Sequence, residues 1–400
     1  MRIFQIRTIH FAAYPNITFV EVETDTGLVG LGETYYTPRA VTTYLQEVLA
    51  PQLMEADPLQ IESFWRSAYD SSHVYGNRGL ELRCLSAIDI ALWDLLGQHV
   101  GQPIWQILGG TCHPDGVIVY NTCATAGYAQ GTPGTWRKSK SVPTSEYLDY
   151  EAWQRDGDAG ALAKSLLKAG IGGMKIWPFD SYALANRGQT ISRRELDEGL
   201  RPWKQIRDAV GFEIEVILEG HGYWSLEPAR RIAEALEPYQ PALIEDLMKP
   251  DSLQSLAQLR RSTRTPLCAS ELLLSRYAVR ELLAAEACDV VMTDPVWTGG
   301  VTEARKIANL ADTYNMGVIF HDCTGPVALA AALHLAVHCP NTWMQEVVRS
   351  YTLGYYRQLV DHHFEIENGR MQAPRGAGLG VRLHKDEAAC ETQVLATRSS

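Results

Sequence analysis

The decapeptide EVILEGHGYW, Glu215 to Trp224, runs from an apolar stretch onto an acid and then into Gly220, His221 and Gly222. A short unbroken apolar run such as Val216-Ile217-Leu218 is what a strand covered on both faces requires, so these residues read as a buried strand. The segment that follows, SLEPARRIAEALEP, has helical spacing, with Ser225 as a candidate cap and Pro228 in the first turn. The same alternation then repeats. ALIED precedes SLQSLAQLRR, TPLCASE precedes SRYAVRELLAAEA, CDVVMTD precedes GVTEARKIANLADTYN, GVIFHD precedes PVALAAALHLAVHC, and NTWMQE closes the series. With GVIVYN and GGMKIW upstream, the pattern amounts to eight βα units. It predicts an α/β fold with a (β/α)8 TIM barrel.

The N-terminal part reads differently. MRIFQIRTIHF and ITFVEVETDTGLVGLGE, with a turn at Asp25-Thr26-Gly27, suggest an antiparallel meander, and LSAIDIALWDLLGQHVG has helical apolar spacing. The expected organisation is an α+β unit over residues 1–125, a barrel over 126–354, and a segment 355–400 whose strand-like alternation packs it back on the first unit. Two polar stretches rich in Gly, Pro and Ser, 129–146 and 178–195, read as loops that shape a site.

The composition narrows the function classes. The chain has 400 residues, of which 46% are hydrophobic and 21% charged, enough for a large core. A net charge of -11 argues against a nucleic-acid or anionic-membrane partner. MRIFQIRTIH lacks the apolar core of a signal peptide, and no long apolar run suggests a membrane span, so a cytoplasmic location is expected. The eight cysteines, without CxxC spacing, fit reduced thiols rather than a disulfide frame or zinc cluster.

Each of the last six apolar runs ends on an ionisable residue: Glu219, Glu245, Glu271, Asp294, His321 and Glu346, spaced by roughly one βα unit, about 25 residues. Alone, each is explained as a turn residue or helix N-cap. In a closed barrel, however, all six strand ends border one mouth. Carboxylates that close repel, so Glu219, Glu245 and Glu271 on adjacent strands call for a cation, and hard oxygen ligands suit Mg²⁺, with Mn²⁺ as substitute.

KIW at Lys175, LEGHG at Glu219, IED at Glu245, ASE at Glu271, TDPVWTGGVTEA at Asp294, HDCTGPV at His321 and MQE at Glu346 resemble the enolase superfamily, mandelate racemase subgroup. SAIDIALWDLLGQHVGQPIWQILGG, where a capping domain joins the barrel, extends the likeness over nearly the whole chain. The resemblance implies abstraction of the proton α to a carboxylate, with Mg²⁺ stabilising the enediolate. By it, Glu219, Glu245 and Glu271 are the metal ligands, and His321, paired with Asp294, is the base. Glu346 lies near the substrate carboxylate or enediolate, Lys175 contacts that carboxylate, and His221 is a second acid or base pointing into the site.

Two positions depart from the subgroup. Glu219 stands where Asp is usual, and the second strand reads Lys175-Ile176-Trp177 where racemases carry Lys-x-Lys. Trp177 cannot act as a base and is a substrate contact or barrel packing. Elimination of a β-hydroxyl from the enediolate would convert an acid sugar, an aldonate or aldarate, to a 2-keto-3-deoxy acid. An epimerase, racemase or cycloisomerase on a 2-hydroxy acid or sugar-acid lactone uses the same intermediate. A zinc hydrolase needs His-x-His on the first strand, and GVIVYNTC has none. A non-catalytic metal-binding role predicts no turnover of acid sugars. The expected partners are a small-molecule carboxylate and, by the resemblance, further copies of the chain in a homo-oligomer.

Overall fold

The computed structural model describes residues 1–76, 78–125, 127–130, 153, 157–384 and 393–400. The stretch 131–146 of the first expected loop, Asn77 and Cys390 lie outside these. β1 (Ile3–His10), β2 (Ile17–Thr24) and β3 (Val29–Tyr35) form an antiparallel meander. Its face packs on the helix Leu80–Val100. The approach is close because β3 carries glycines: a Cβ on Gly32 would sit 1.8 Å from the Ala87 carbonyl oxygen, and one on Gly30 2.1 Å from that of Ala91.

Eight parallel strands follow: β4 (Val117–Thr122), β5 (Gly173–Ile176), β6 (Glu215–Glu219), β7 (Leu243–Glu245), β8 (Leu267–Ala269), β9 (Val290–Thr293), β10 (Gly317–Phe320) and β11 (Thr342–Val347). They are hydrogen-bonded in chain order, and β11 pairs with β4 to close the barrel. Tyr120, Ile217, Leu243, Cys268, Met292, Ile319 and Met344, from seven strands, with Val290 as a second residue from β9, form a cluster separate from the main core that fills the barrel interior. Gly173 supplies the eighth position, where a Cβ would lie 2.7 Å from that of Tyr120.

The two units are pinned at named points. The Glu33 carboxylate on β3 accepts from the Val327 amide in the first turn of the helix Pro326–His338, where a helix favours an anion. Asp89 accepts from the Thr302 amide, and Trp65 Nε1 donates to the Gly299 carbonyl.

Several local expectations need correction. Ser225 occupies the N-cap of Leu226–Leu236 but does not cap it; its hydroxyl donates to the Gly188 carbonyl. Residues 178–195 are not simply a loop, since Asp180–Asn186 is helical and Ser192 starts Arg193–Val210 with a capping box. Between residues 355 and 384 the alternation yields the helix Tyr356–Leu359 and a two-residue strand, β12 (Arg370–Met371), which pairs with barrel strand β4. The segment nevertheless returns to the first unit, where the Leu379 amide donates to Asp94 Oδ1. β13 (Gln393–Arg398) pairs antiparallel with β1.

Candidate active site

Side chains along a strand alternate in direction, so the residue two beyond an interior position lies one layer higher on the same face. From Tyr120, Gly173, Ile217, Leu243, Met292, Ile319 and Met344 that step reaches Thr122, Lys175, Glu219, Glu245, Asp294, His321 and Glu346. The polar ring at the mouth is therefore the barrel's own top layer. All its members are buried. Glu271 breaks the register: the step from Cys268 reaches Ser270, and Glu271 lies beyond the end of β8. Ser270 instead donates to Asp246, at 2.5 Å.

Lys175 occupies the middle of the acids. Its ammonium lies 2.7 Å from Glu245 Oε1, 2.7 Å from Glu346 Oε1 and 3.2 Å from Glu219 Oε2. Burial disfavours its charge, but Glu245 and Glu346 outweigh that and hold its pKa well above the usual lysine value. Glu219 and Glu245 are direct register partners on adjacent strands. Two carboxylates so placed cannot ionise independently. Burial raises Glu219, but the charges of His221 and Lys175 prevail and bring it to about 2, while burial and the Glu219 charge push Glu245 well up. Thr122 donates a short hydrogen bond to Glu346.

His321 Nδ1 lies 2.7 Å from Asp294 Oδ2, and its Nε2 is 3.9 Å from Glu346 Oε2. Asp294 does two jobs, because its Oδ1 also accepts from the Val296 amide and caps the short helix Pro295–Thr298. Burial lowers the His321 pKa, yet Glu346 and Asp294 raise it on balance to about 9. His221 forms a second pair of the same kind, with Nδ1 2.6 Å from Asp180 Oδ2. Burial again acts downward, and Asp180 and Glu219 overcome it to give about 9.

His221 is not on a strand face, as its sequence position suggests. β6 ends at Glu219, and His221 sits in a turn with φ of 46°, its amide donating to Glu219 Oε1 at 2.6 Å. The chain bends there because Gly220 packs against Leu247, where a Cβ would be 2.5 Å from the Leu247 Cα. Trp177 is buried just past β5, edge-on to the rings of Trp153 and His221 at 4.8 and 5.7 Å. In an eight-membered ring, the third and seventh strands are opposite, as are the second and sixth. The pair His221–Asp180, after strands three and two, thus faces His321–Asp294, after strands seven and six.

The three glutamates are brought to one mouth, but among the described residues no three His, Cys, Asp or Glu side chains converge as metal ligands do. The lysine ammonium supplies the positive charge at the centre of the acids. The donor chemistry nevertheless suits a hard divalent cation: Glu245 Oε2 and Glu271 Oε2 are buried without a hydrogen-bond partner. Sequence reasoning missed Asp180, inside a segment read as a loop, and Asp246, masked by its neighbour in the IED motif. Nor did it place Arg83, a capping-domain residue whose guanidinium carbon lies 4.0 Å above the ring of Trp297, beside His321.

Residues 158–388 match the family model Enolase C-terminal domain-like, and residues 5–109 match Mandelate racemase / muconate lactonizing enzyme, N-terminal domain. The chain belongs to the enolase superfamily, mandelate racemase subgroup. A crystal structure of an enolase of that subgroup from Agrobacterium tumefaciens, with a succinimide residue, sodium and phosphate, is 39% identical. It covers 100% of this chain and 99% of its own, with a TM-score of 0.88. A D-mannonate dehydratase from Novosphingobium aromaticivorans is 28% identical over 97% of this chain and 94% of its own length. A D-galactonate dehydratase from Ralstonia nicotianae is 30% identical over 94% and 90%. This mandelate racemase subgroup member thus combines the barrel with a meander-and-helix capping domain, and its polar ring lies at the barrel end that such enzymes use.

Proposed function

We propose that the protein is a Mg²⁺-dependent acid-sugar dehydratase that converts an aldonate or aldarate to a 2-keto-3-deoxy acid. The observation that carries this reading is the opposition of two carboxylate-held imidazoles, His321–Asp294 and His221–Asp180, across a mouth centred on Lys175. Relatives named as mannonate, arabinonate and galactonate dehydratases support the substrate class.

His321, when neutral, takes the proton α to the carboxylate at Nε2, its Nδ1–H donated to Asp294. That hydrogen bond selects the tautomer and stabilises the imidazolium that results. Lys175 binds the substrate carboxylate and opposes the second negative charge of the enediolate. His221, with Nδ1–H held by Asp180, returns a proton to the departing β-hydroxyl, which leaves as water. The resulting enol tautomerises to the 2-keto acid. Glu219, Glu245 and Glu271 would hold Mg²⁺, or Mn²⁺ in its place, and the ion would supply further charge neutralisation at the substrate carboxylate. Glu346 orients Lys175 and faces His321.

An epimerase remains the second reading, because opposed imidazoles also suit proton transfer from one face to the other. Trp177 in place of a second lysine favours elimination, since the usual second-strand base is missing. We place the protein in the cytoplasm, acting as a homo-oligomer on a small carboxylate; among the described residues no helix is long and apolar enough to cross a membrane. A Mg²⁺-dependent screen of mono- and diacid sugars for keto-acid formation tests the proposal. Stereoisomer interconversion without keto acid would favour the epimerase.

A further inference from the structure

We infer that Arg83, with Trp297 and Tyr36, forms a site for a second carboxylate at the far end of the substrate, so that the preferred substrates are diacids. The inference rests on the dehydratase reading, which places the reacting carboxylate near Lys175.

Arg83 belongs to the capping-domain helix Leu80–Val100 and reaches the barrel mouth. Its guanidinium carbon lies 4.0 Å above the Trp297 ring, and that ring lies 5.1 Å from the His321 imidazole, centroid to centroid. One aromatic ring therefore separates the guanidinium from the proposed base. The Tyr36 ring packs against both, 5.9 Å from the guanidinium carbon and 6.3 Å from Trp297. Tyr36 and Thr37 are consecutive non-glycine residues with positive φ, 66° and 47°, at the end of β3. Such backbone is costly and is kept where surrounding structure demands a particular side-chain placement.

The cluster is rich in donors and poor in acceptors. Arginine offers five N–H groups, and among the described residues the hydrogen bond Arg83 makes runs from Nη1 to the Tyr35 carbonyl at 3.3 Å. Among the described residues no carboxylate oxygen lies within 4.0 Å of it, in contrast to Lys175, Arg260 and Arg276. Trp297 Nε1, which can only donate, is buried without a partner. A partly buried cation without a paired anion is unfavourable, and burial accordingly lowers the Arg83 pKa. Asp294 and Glu271 are near enough to act on it through space but do not ion-pair with it. A planar acceptor with two oxygens and a negative charge satisfies the guanidinium fork. On a sugar acid already held by its first carboxylate, the group of that description is the terminal carboxylate of an aldarate.

The experiment compares matched six-carbon pairs, galactarate with D-galactonate and D-glucarate with D-gluconate, in Mg²⁺ with the full chain. Both keto-acid formation and calorimetric binding are measured. For at least one pair, the wild type should favour the diacid by about tenfold or more in kcat/KM or Kd. Arg83→Met should remove that preference, and Arg83→Lys should retain part of it, as a point charge without the fork. Equal melting temperatures establish that each variant is folded, and the wild-type ratio stands by itself if Arg83→Met does not fold. Preference for the monoacid in every pair, or no preference in any, would overturn the assignment, as would a ratio unchanged in folded Arg83→Met. Keto acid formed with no diacid preference overturns the Arg83 site and leaves the dehydratase reading intact. Arg83-dependent tighter binding of the diacid without keto acid does the reverse.

Discussion

His321 and Asp294 come from adjacent strand ends, and their side chains meet at 2.7 Å, with the second carboxylate oxygen of Asp294 engaged by the Val296 amide. The carboxylate is thus fixed by the backbone before it fixes the imidazole. Asp294→Asn should lower kcat by roughly a hundred- to ten-thousand-fold, because an amide no longer enforces the tautomer or stabilises the imidazolium. Steady-state kinetics with an active acid sugar tests this, and a loss below threefold would remove Asp294 from the proposed mechanism.

Lys175 is the charge that holds three buried carboxylates together. Lys175→Met should cost about 3–5 kcal/mol in metal-free protein, since the acids are left buried without their cation. Denaturant unfolding measures the deficit. In excess Mg²⁺ the deficit should shrink, because an ion bound by Glu219, Glu245 and Glu271 replaces the missing charge. Indifference to Mg²⁺ would count against those three as ligands.

Much of this arrangement was legible in the sequence because the barrel imposes a strict period. Buried strands read as unbroken apolar runs, and an acid or histidine two residues beyond an interior side chain must join the upper layer. Glu219, Glu245, Glu271, Asp294, His321 and Glu346 were found as the residues that close successive runs, and all but Glu271 keep that step. The period says nothing of reach across the mouth, so Lys175 as the common partner of the acids was not foreseen. It also fails where strands end: His221 departs from its strand through a turn, and Asp180 arrives from a short helix in a polar segment. Arg83 enters from another domain, where only three-dimensional packing brings it near His321.

Asp180 and Trp177 both touch the His221 ring, one through a hydrogen bond and one through an edge-on contact. Asp180→Asn should lower kcat at least about tenfold with little change in KM, because it disturbs the orientation of a proton donor rather than substrate binding. Trp177→Phe keeps an aromatic ring there and should retain much of the activity. An unchanged kcat in Asp180→Asn, or a larger loss in Trp177→Phe, would contradict these assignments.

His334 supplies a pH dependence unrelated to catalysis. It is fully buried in the helix Pro326–His338, its Nδ1 accepting from the Trp105 amide and its Nε2–H donating to the Leu379 carbonyl. Burial brings its pKa down to about 4 from 6.5. A histidine lowered on folding contributes stability that is complete above pH 6.5 and is lost as pH falls toward 4, where the unfolded chain takes up the proton first. The full effect is about 3 kcal/mol. Urea unfolding at pH 7 and pH 4.5 should show a larger acid loss for wild type than for His334→Gln; equal losses would refute the account.

The central claim is that His321 removes the α-proton of an acid sugar and that loss of the β-hydroxyl follows. The most direct measurement is NMR of acid sugars incubated with the Mg²⁺-supplied protein in deuterated water. The wild type should form a 2-keto-3-deoxy acid, and folded His321→Asn should show neither product nor deuterium at the α-carbon. Equilibration of two stereoisomers without keto acid, or product formation undiminished in His321→Asn, would contradict it.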